Sequence, residues 1–227
     1  KKTGNDVAKY YAITYSEGRL EITARPITVK TESAEWMYDA QTHRGDTAFS
    51  LTAGELLQGH TPEVTSEAAA IHNAGSVPNK ITLRIMNGGE DVTRNYKITY
   101  SYGTLTVHKR PITVQTGSLT VTYDGYPHTT TEVTLTADSP YPMATADHQL
   151  RVLDADACTY TNEGGYVNDP RVSVYDASTR TYVTANYDIT LRTGLITVEK
   201  RPLHVQLNGE KIYDGRPLTA SDWHVDY

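Results

Sequence analysis

The sequence predicts an all-β fold made of small domains in tandem, and three observations predict it. One wording recurs three times: GRLEITARPITV (Gly18 to Val29), GTLTVHKRPITV (Gly103 to Val114) and GLITVEKRPLHV (Gly194 to Val205). Around each copy apolar and polar residues alternate with the period of a strand. The chain also carries 17 Tyr against one Phe at a mean hydropathy of −0.50, a mixture suited to strands with one wet face.

The repeat sets the boundaries. Arg-Pro falls at 25/26, 110/111 and 201/202, so the copies are 85 residues apart (25 to 110) and then 91 (110 to 201). These spacings are too long for a solenoid unit and suit small domains in series. Residues 1–24 read as the closing hairpin of a preceding repeat, 25–109 and 110–200 as two complete repeats, and 201–227 as the start of a following one. The chain thus reads as a fragment with a partial repeat at each end.

Taken in order, each repeat closes on a predicted hairpin: Ile13/Tyr15 then Leu20/Ile22, Ile98/Tyr100 then Leu105/Val107, and Ile189/Leu191 then Ile196/Val198. A glycine ends each turn (Gly18, Gly103, Gly194), which suits a position with φ > 0. The junction residues follow: Arg25 and Pro26, Arg110 and Pro111, Arg201 and Pro202. Proline forces its neighbour into an extended conformation and removes a donor, so no helix passes through. Alternation resumes at once at Ile27/Val29, Ile112/Val114 and Leu203/Val205, so the last strand of one repeat runs into the first of the next. With so little slack, the expected assembly is a semi-rigid rod.

Twelve or thirteen residues after each Arg comes a Tyr-Asp turn: Tyr38-Asp39, Tyr123-Asp124-Gly125 and Tyr213-Asp214-Gly215. Asp supplies a local hydrogen bond and Gly a left-handed position. Ala40 replaces Gly in the first copy, which predicts strain or another turn type. Thr52 and Glu55 have capping-box spacing for a short helix local to repeat one, and Ser66 to His72 is alanine-rich. Asn95-Tyr96 and Asn186-Tyr187, with Tyr10-Tyr11 in the first copy, stand fifteen residues before each Arg. A phenol there could bond a neighbouring carbonyl as a tyrosine corner does, or pack in the core.

A net charge of −6 without a basic run gives no phosphate-tracking surface, so no nucleic-acid partner is expected. No apolar run nears the ~18 residues of a membrane span, and the opening residues do not read as a secretory signal. Cys158 is the single cysteine, so no internal disulfide forms.

The words VTRNYKITYSYGTLTVHKRPITV (Val92 to Val114) with VTYDG (Val121 to Gly125), and VTANYDITLRTGLITVEKRPLHV (Val183 to Val205) with IYDG (Ile212 to Gly215), resemble the MBG or YDG-type repeat domains of bacterial secreted surface proteins and fibrillar adhesins. His-Asn-Ala-Gly at 72–75 and Thr-Asn-Glu-Gly at 161–164 sit where that family tends to have an Asn-x-Gly turn. The resemblance implies β-grasp-like or sandwich-like domains joined end to end. It also implies an extracellular place, cell-wall attached or secreted, and a role in adhesion as stalk or spacer between neighbouring repeats of the chain. It carries no catalytic set.

Residues present in every copy serve what every copy does, which is folding, so Asp39, Asp124 and Asp214 read as turn aspartates. The eight His show no zinc spacing. Asp154 and Asp156, with Asp147 upstream, lack the glycine and closing glutamate of a calcium loop. Cys158 has Glu67 at the matching place of repeat one, which excludes a shared thiol mechanism. No nucleophile elbow, phosphate loop or dinucleotide fingerprint occurs. The expectation is therefore no enzyme activity, no metal and no cofactor. Features differing between repeats are the better binding candidates: Tyr141, Tyr160 and Tyr166 with Trp36 and Trp223, as a platform for a host surface protein or glycan. Packed rings with wet hydroxyls are the simpler reading. The alternative functions are thus a host-ligand-binding module (glycoprotein, matrix protein, immunoglobulin or glycan) and an accessory module of a secreted carbohydrate-active enzyme.

Overall fold

The structure, a computed structural model, describes residues 8–219 and 222–226. It is all-β, with 46% of residues in strands, several small sheets and, among the described residues, no helix of seven or more residues. After the third junction the expected inward residues Leu203 and Val205 are exposed, and His204–Asn208, exposed throughout, pairs with Asp222–Asp226 in a two-stranded sheet. The strands that follow the first two junctions are where the alternation is strongest. In Arg25–Thr31 the residues Ile27, Val29 and Thr31 are buried, and in Arg110–Thr116 their counterparts Ile112, Val114 and Thr116 are buried. Each such strand is central in a three-stranded sheet. Arg25–Thr31 pairs in parallel with Tyr96–Ser101 and antiparallel with Phe49–Ala53. Arg110–Thr116 pairs in parallel with Tyr187–Arg192 and antiparallel with Val133–Leu135.

A second type of sheet has the last strand of the repeat at its centre. Thr104–His108 lies parallel to Ala34–Met37 and antiparallel to Gly75–Pro78, and Gly194–Glu199 lies likewise between Leu119–Thr122 and Gly164–Asn168. This overturns the expected hairpins. Tyr96–Ser101 and Thr104–His108 belong to different sheets, as do Tyr187–Arg192 and Gly194–Glu199. Residues 11–24 contain no strand, and Leu20 and Ile22 are fully exposed. The chain crosses between sheets where a turn was expected. A buried threonine receives it there: Gly103 N donates to Thr31 Oγ1 (3.0 Å) and Gly194 N to Thr116 Oγ1 (2.9 Å).

The glycines at the crossings are not in the left-handed region, contrary to expectation. Gly194 is needed for a different reason, since a Cβ there would lie 2.2 Å from the carbonyl oxygen of Gly117. The expected helix at 52–58 is also absent. Phe49–Ala53 is a strand whose last residue pairs with Thr28, and Gly54 turns with φ 74° so close to Pro26 O that a Cβ would meet it at 2.3 Å. Glu55 makes no capping box and instead binds Arg25 through both its carboxylate (2.6 Å) and its carbonyl (2.9 Å). The alanine-rich stretch contributes the two-residue strand Ala70–Ile71.

The chain forms two compact units. The first contains the segment ending at Glu32, then Thr47–Glu67 and Lys80–Gly103, with cores around Ile27, Ile85, Val92 and Tyr96 and around Val29, Ile81 and Leu83. The second contains Ser33–Asp46, Ala68–Asn79 and the chain from Thr104 onward. Its core joins Tyr38, Ile71, Leu105 and Val107 of the first repeat to Ile112, Val114, Val172, Val174 and Tyr187 of the second. Compact unit and sequence period are therefore out of phase. Only Lys109 separates Thr104–His108 from Arg110–Thr116, and both strands bury their inward residues in that one core.

Candidate functional site: the junction inside the second unit

The junction begins with a turn. Asp39 Oδ1 accepts the N–H of Gln41 (2.9 Å), Asp124 Oδ1 that of Tyr126 (2.9 Å) and Asp214 Oδ1 that of Arg216 (3.0 Å). The residue between is left-handed in every copy: Ala40 at φ 63°, Gly125 at 85° and Gly215 at 77°. Such Asx turns suit Asp because its short acceptor reaches the backbone two residues on. In two copies a histidine four residues later closes the turn from outside, His43 Nε2 at 3.0 Å from Asp39 and His128 Nε2 at 2.9 Å from Asp124. The Tyr126 N–H, and then His128, hold the Asp124 carboxyl below the usual carboxylate range.

The turn delivers Tyr38 into the core. Its N–H donates to His108 O (2.9 Å) and its ring is 1% exposed. The ring meets Tyr187 edge-on at 5.6 Å and lies parallel to His148 at 6.2 Å. Arg110 closes the back, donating from Nη1 to Tyr38 O (3.1 Å) and from Nε to Pro142 O (2.7 Å), with its guanidinium 5.0 Å from the centre of the Tyr141 ring. The arginine of Arg-Pro is thus the clasp between a carbonyl of one repeat and a loop of the next.

Repeat two supplies the opposite wall. The Tyr187 hydroxyl accepts Ala144 N–H (3.0 Å) and lies 2.6 Å from His148 Nδ1, which fits a neutral imidazole with its proton on Nε2. That Nε2 is 3.9 Å from Asp176 Oδ2, too far for a direct hydrogen bond. Asp176 is satisfied locally by the N–H and hydroxyl of Ser178 and the hydroxyl of Thr179, which bring it down to about 2. Burial pushes the His148 imidazole down and the Tyr38 and Tyr187 phenols up. Beside them the buried Asn186 grips the Asn-x-Gly turn of repeat one: its Nδ2 donates to Asn73 Oδ1 (3.1 Å) and its Oδ1 accepts Ala74 N–H (2.8 Å). A cleft of about 300 Å³ remains, lined by His72, Asn73, Thr145, Asp147, Asp176 and Thr179 among others.

Repeat one carries the same wall in the first unit. Tyr96 Oη is 2.7 Å from His60 Nδ1 and accepts Leu57 N–H (3.1 Å). There Asn87 pairs with His60 as Asp176 pairs with His148, and Asn95 is exposed. The Tyr-His pair is therefore common to both copies, while the carboxylate beside it belongs to the second.

The predicted binding residues do not converge. Tyr141 lies under Arg110. Tyr160 and Tyr166 stack on one another at 4.1 Å, with Tyr166 Oη donating to Asn162 O (3.2 Å). Trp36 stacks on His43 at 4.7 Å. Trp223 lies in the strand Asp222–Asp226, opposite Leu207, and its side chain falls outside the described residues. Asp154 receives the N–H of Arg171 (2.6 Å). Among the described residues no group of three or more His, Cys, Asp or Glu is placed to hold a metal ion, and Cys158 is buried. Asn73 lies in the Asn-x-Gly turn that the sequence marks, whereas His60, His148 and Asp176 were not singled out from sequence as site residues. Their signal was the similar separation of His from Tyr in the two copies, 36 and 39 residues. No protein-family model matches the chain, and no curated protein matches it.

Proposed function

We propose that the chain is a non-catalytic, extracellular repeat segment of a bacterial surface protein, serving as stalk or spacer in adhesion. Its repeats would be β-grasp-like or sandwich-like domains joined as a semi-rigid rod. The observation that carries this reading is the shared core at the junction, where strands separated by one residue bury Leu105 and Val107 together with Ile112 and Val114. A connection of this kind fixes the direction in which one repeat continues into the next, which a spacer needs and a free ligand-binding domain does not. The chemistry of the junction agrees: its Tyr, His, Asn and Arg are partnered with one another rather than presented to a substrate. The parallel pairing of the first strand with a late strand, present in both copies, favours the β-grasp-like form.

A second reading, a host-ligand module, is favoured by one observation, the stacked Tyr160–Tyr166 pair with Tyr126 exposed nearby in the same repeat. A binding screen of the intact chain against mucins, matrix proteins, immunoglobulins and a glycan array separates the two. Silence with the fold intact is the expected result for a spacer. Saturable binding abolished by Tyr160→Ala, with unchanged circular dichroism, would replace that reading with the second.

A further inference from the structure

We infer that repeat two carries a pocket for a small phenol with a cationic tail, of the tyramine type, beside the strand Val172–Asp176. The inference goes beyond the spacer reading, because it gives one repeat a ligand for which the other has no room.

The two repeats differ here in a consistent direction. In repeat one Phe49, Ile81, Leu83 and Tyr100 pack with Val29. The strand registers put Val133, Pro170, Val172 and Leu191 at the same places in repeat two. Phe49 and Val133 stand opposite Thr31 and Thr116, Leu83 and Val172 opposite Val64 and Val152, and Tyr100 and Leu191 opposite Val29 and Val114. Ile81 and Pro170, both buried, lie two residues before Leu83 and Val172. Every one of the four is smaller in repeat two. Where Tyr100 and its neighbours fill repeat one, a hollow of about 340 Å³ remains in repeat two, walled by Pro170, Val172, Ile189 and Leu191. The filling in repeat one comes from that repeat's own side chains, so the hollow is a consequence of substitutions inside repeat two.

The backbone names the ligand's polar group. Thr65 N donates to Thr82 O and Leu153 N to Arg171 O. The next residues, Leu83 and Val172, therefore turn their N–H groups away from the paired strand, because hydrogen-bonded and non-hydrogen-bonded pairs alternate in an antiparallel ladder. Leu83 N–H donates to the Tyr100 hydroxyl at 3.1 Å. Val172 is buried in the wall of the hollow, and Leu191 has no hydroxyl to offer its N–H. A buried donor calls for an acceptor, and the acceptor this fold uses at this place is a phenol. A phenolic ring against Pro170, Ile189 and Leu191, with its oxygen at Val172 N–H, restores both the packing and the bond. Charge selects the para substituent. Asp154, Asp169 and Arg171 complete the lining and contribute two carboxylates and one guanidinium, a balance that favours a cation over an anion.

Amide-resolved NMR of the full chain titrated with tyramine tests this. The Val172 amide is expected to move saturably. Phenethylamine, which lacks the hydroxyl, should bind about tenfold more weakly, the loss expected for one hydrogen bond to a buried donor. The anion p-hydroxyphenylpropionate should also bind more weakly than tyramine. Leu191→Tyr puts repeat one's phenol into repeat two and should abolish the Val172 response, with the amides of repeat one unmoved. Asp169→Asn, at an exposed position, should weaken tyramine severalfold and leave p-cresol unchanged, which keeps the test independent of a substitution in the core. A Val172 amide that does not respond to millimolar tyramine, equal binding of phenethylamine, tighter binding of the anion, or tyramine binding that survives Leu191→Tyr overturns the inference. None of those results touches the spacer reading, which the ligand screen decides.

Discussion

The two asparagines of the Asn-Tyr words provide a controlled comparison at the scale of single residues. Asn186 makes two hydrogen bonds from a buried position, and its loss leaves Asn73 and the N–H of Ala74 without those partners. Asn73 is exposed and Ala74 half-buried, so water can replace the lost partner, and the change removes two hydrogen bonds worth about 0.5–1.5 kcal/mol net each. Asn186→Ala should therefore lower stability by about 2 kcal/mol in urea unfolding, while Asn95→Ala, at an exposed site, should change it by less than about 0.5 kcal/mol. Equal effects would mean that the amide does not latch the turn. Ala40 gives a second comparison, for it holds φ 63° where the other copies have glycine. Ala40→Gly should be neutral to stabilising by up to about 1 kcal/mol, and Gly125→Ala destabilising by about the same, since a Cβ is strained in that region.

His148 adds a pH dependence. Its imidazole is pushed down from 6.5 by burial, with Asp176 and Asp147 acting the other way. In the window below 6.5 the unfolded chain binds the proton that the folded one refuses, so stability from this group is present above that pH and is lost as the pH falls. Asp176, held at about 2 against 3.8, contributes stability that is present above 3.8 and lost on further acidification towards 2. The thermal midpoint should fall between pH 7 and pH 5, and His148→Gln should flatten that part of the curve. An unchanged slope in the variant would assign the transition to another group.

The strands explain how much could be read from sequence. In the two complete repeats inward residues were legible because alternation is a property of one strand by itself, and Ile27/Val29, Leu105/Val107 and Ile196/Val198 are buried as the pattern requires, whereas the same alternation at Ile13/Tyr15 and Leu20/Ile22 forms no strand and Leu203/Val205 stay exposed. Pairing was not legible. Two alternating runs joined by a short link read as a hairpin whether they pair with each other or cross between sheets, and here the short link is a crossing received by Thr31 or Thr116. The Tyr-Asp, Asn-Tyr and Arg-Pro words mark three corners of the junction. The histidines do not announce themselves, because they meet tyrosines 36 and 39 residues away through strands whose pairing was unknown. The crossing also yields a test. Since a Cβ on Gly194 would strike the backbone of Gly117, Gly194→Ala must displace a strand, whereas Gly165→Ala, with nothing within 4 Å, has room. The first should cost about 2 kcal/mol or more and the second well under 1 kcal/mol in the same unfolding assay.

For the whole molecule, the phase difference between repeat and compact unit decides what can fold alone. A fragment cut at the sequence period, residues 110–200, keeps Ile112, Val114, Val172, Val174 and Tyr187 but loses Tyr38, Ile71, Leu105 and Val107, which bury them. Each large apolar side chain taken out of a core forfeits about 1.5–3 kcal/mol, and a domain has only about 5–15 kcal/mol in total. The excised repeat should consequently be unfolded or marginal, with fast amide exchange in Arg110–Thr116. The same strand in the full chain should be among the slowest to exchange. Adding residues 33–109 to the fragment should restore slow exchange, because that addition returns the missing side of the core and the turn that Asn186 grips. A fragment 110–200 that folds as stably as the intact chain would show that the repeat is self-sufficient and that the shared core is an accessory contact. Rescue by the extension would make the junction, and not the repeat, the cooperative element from which the protein is built.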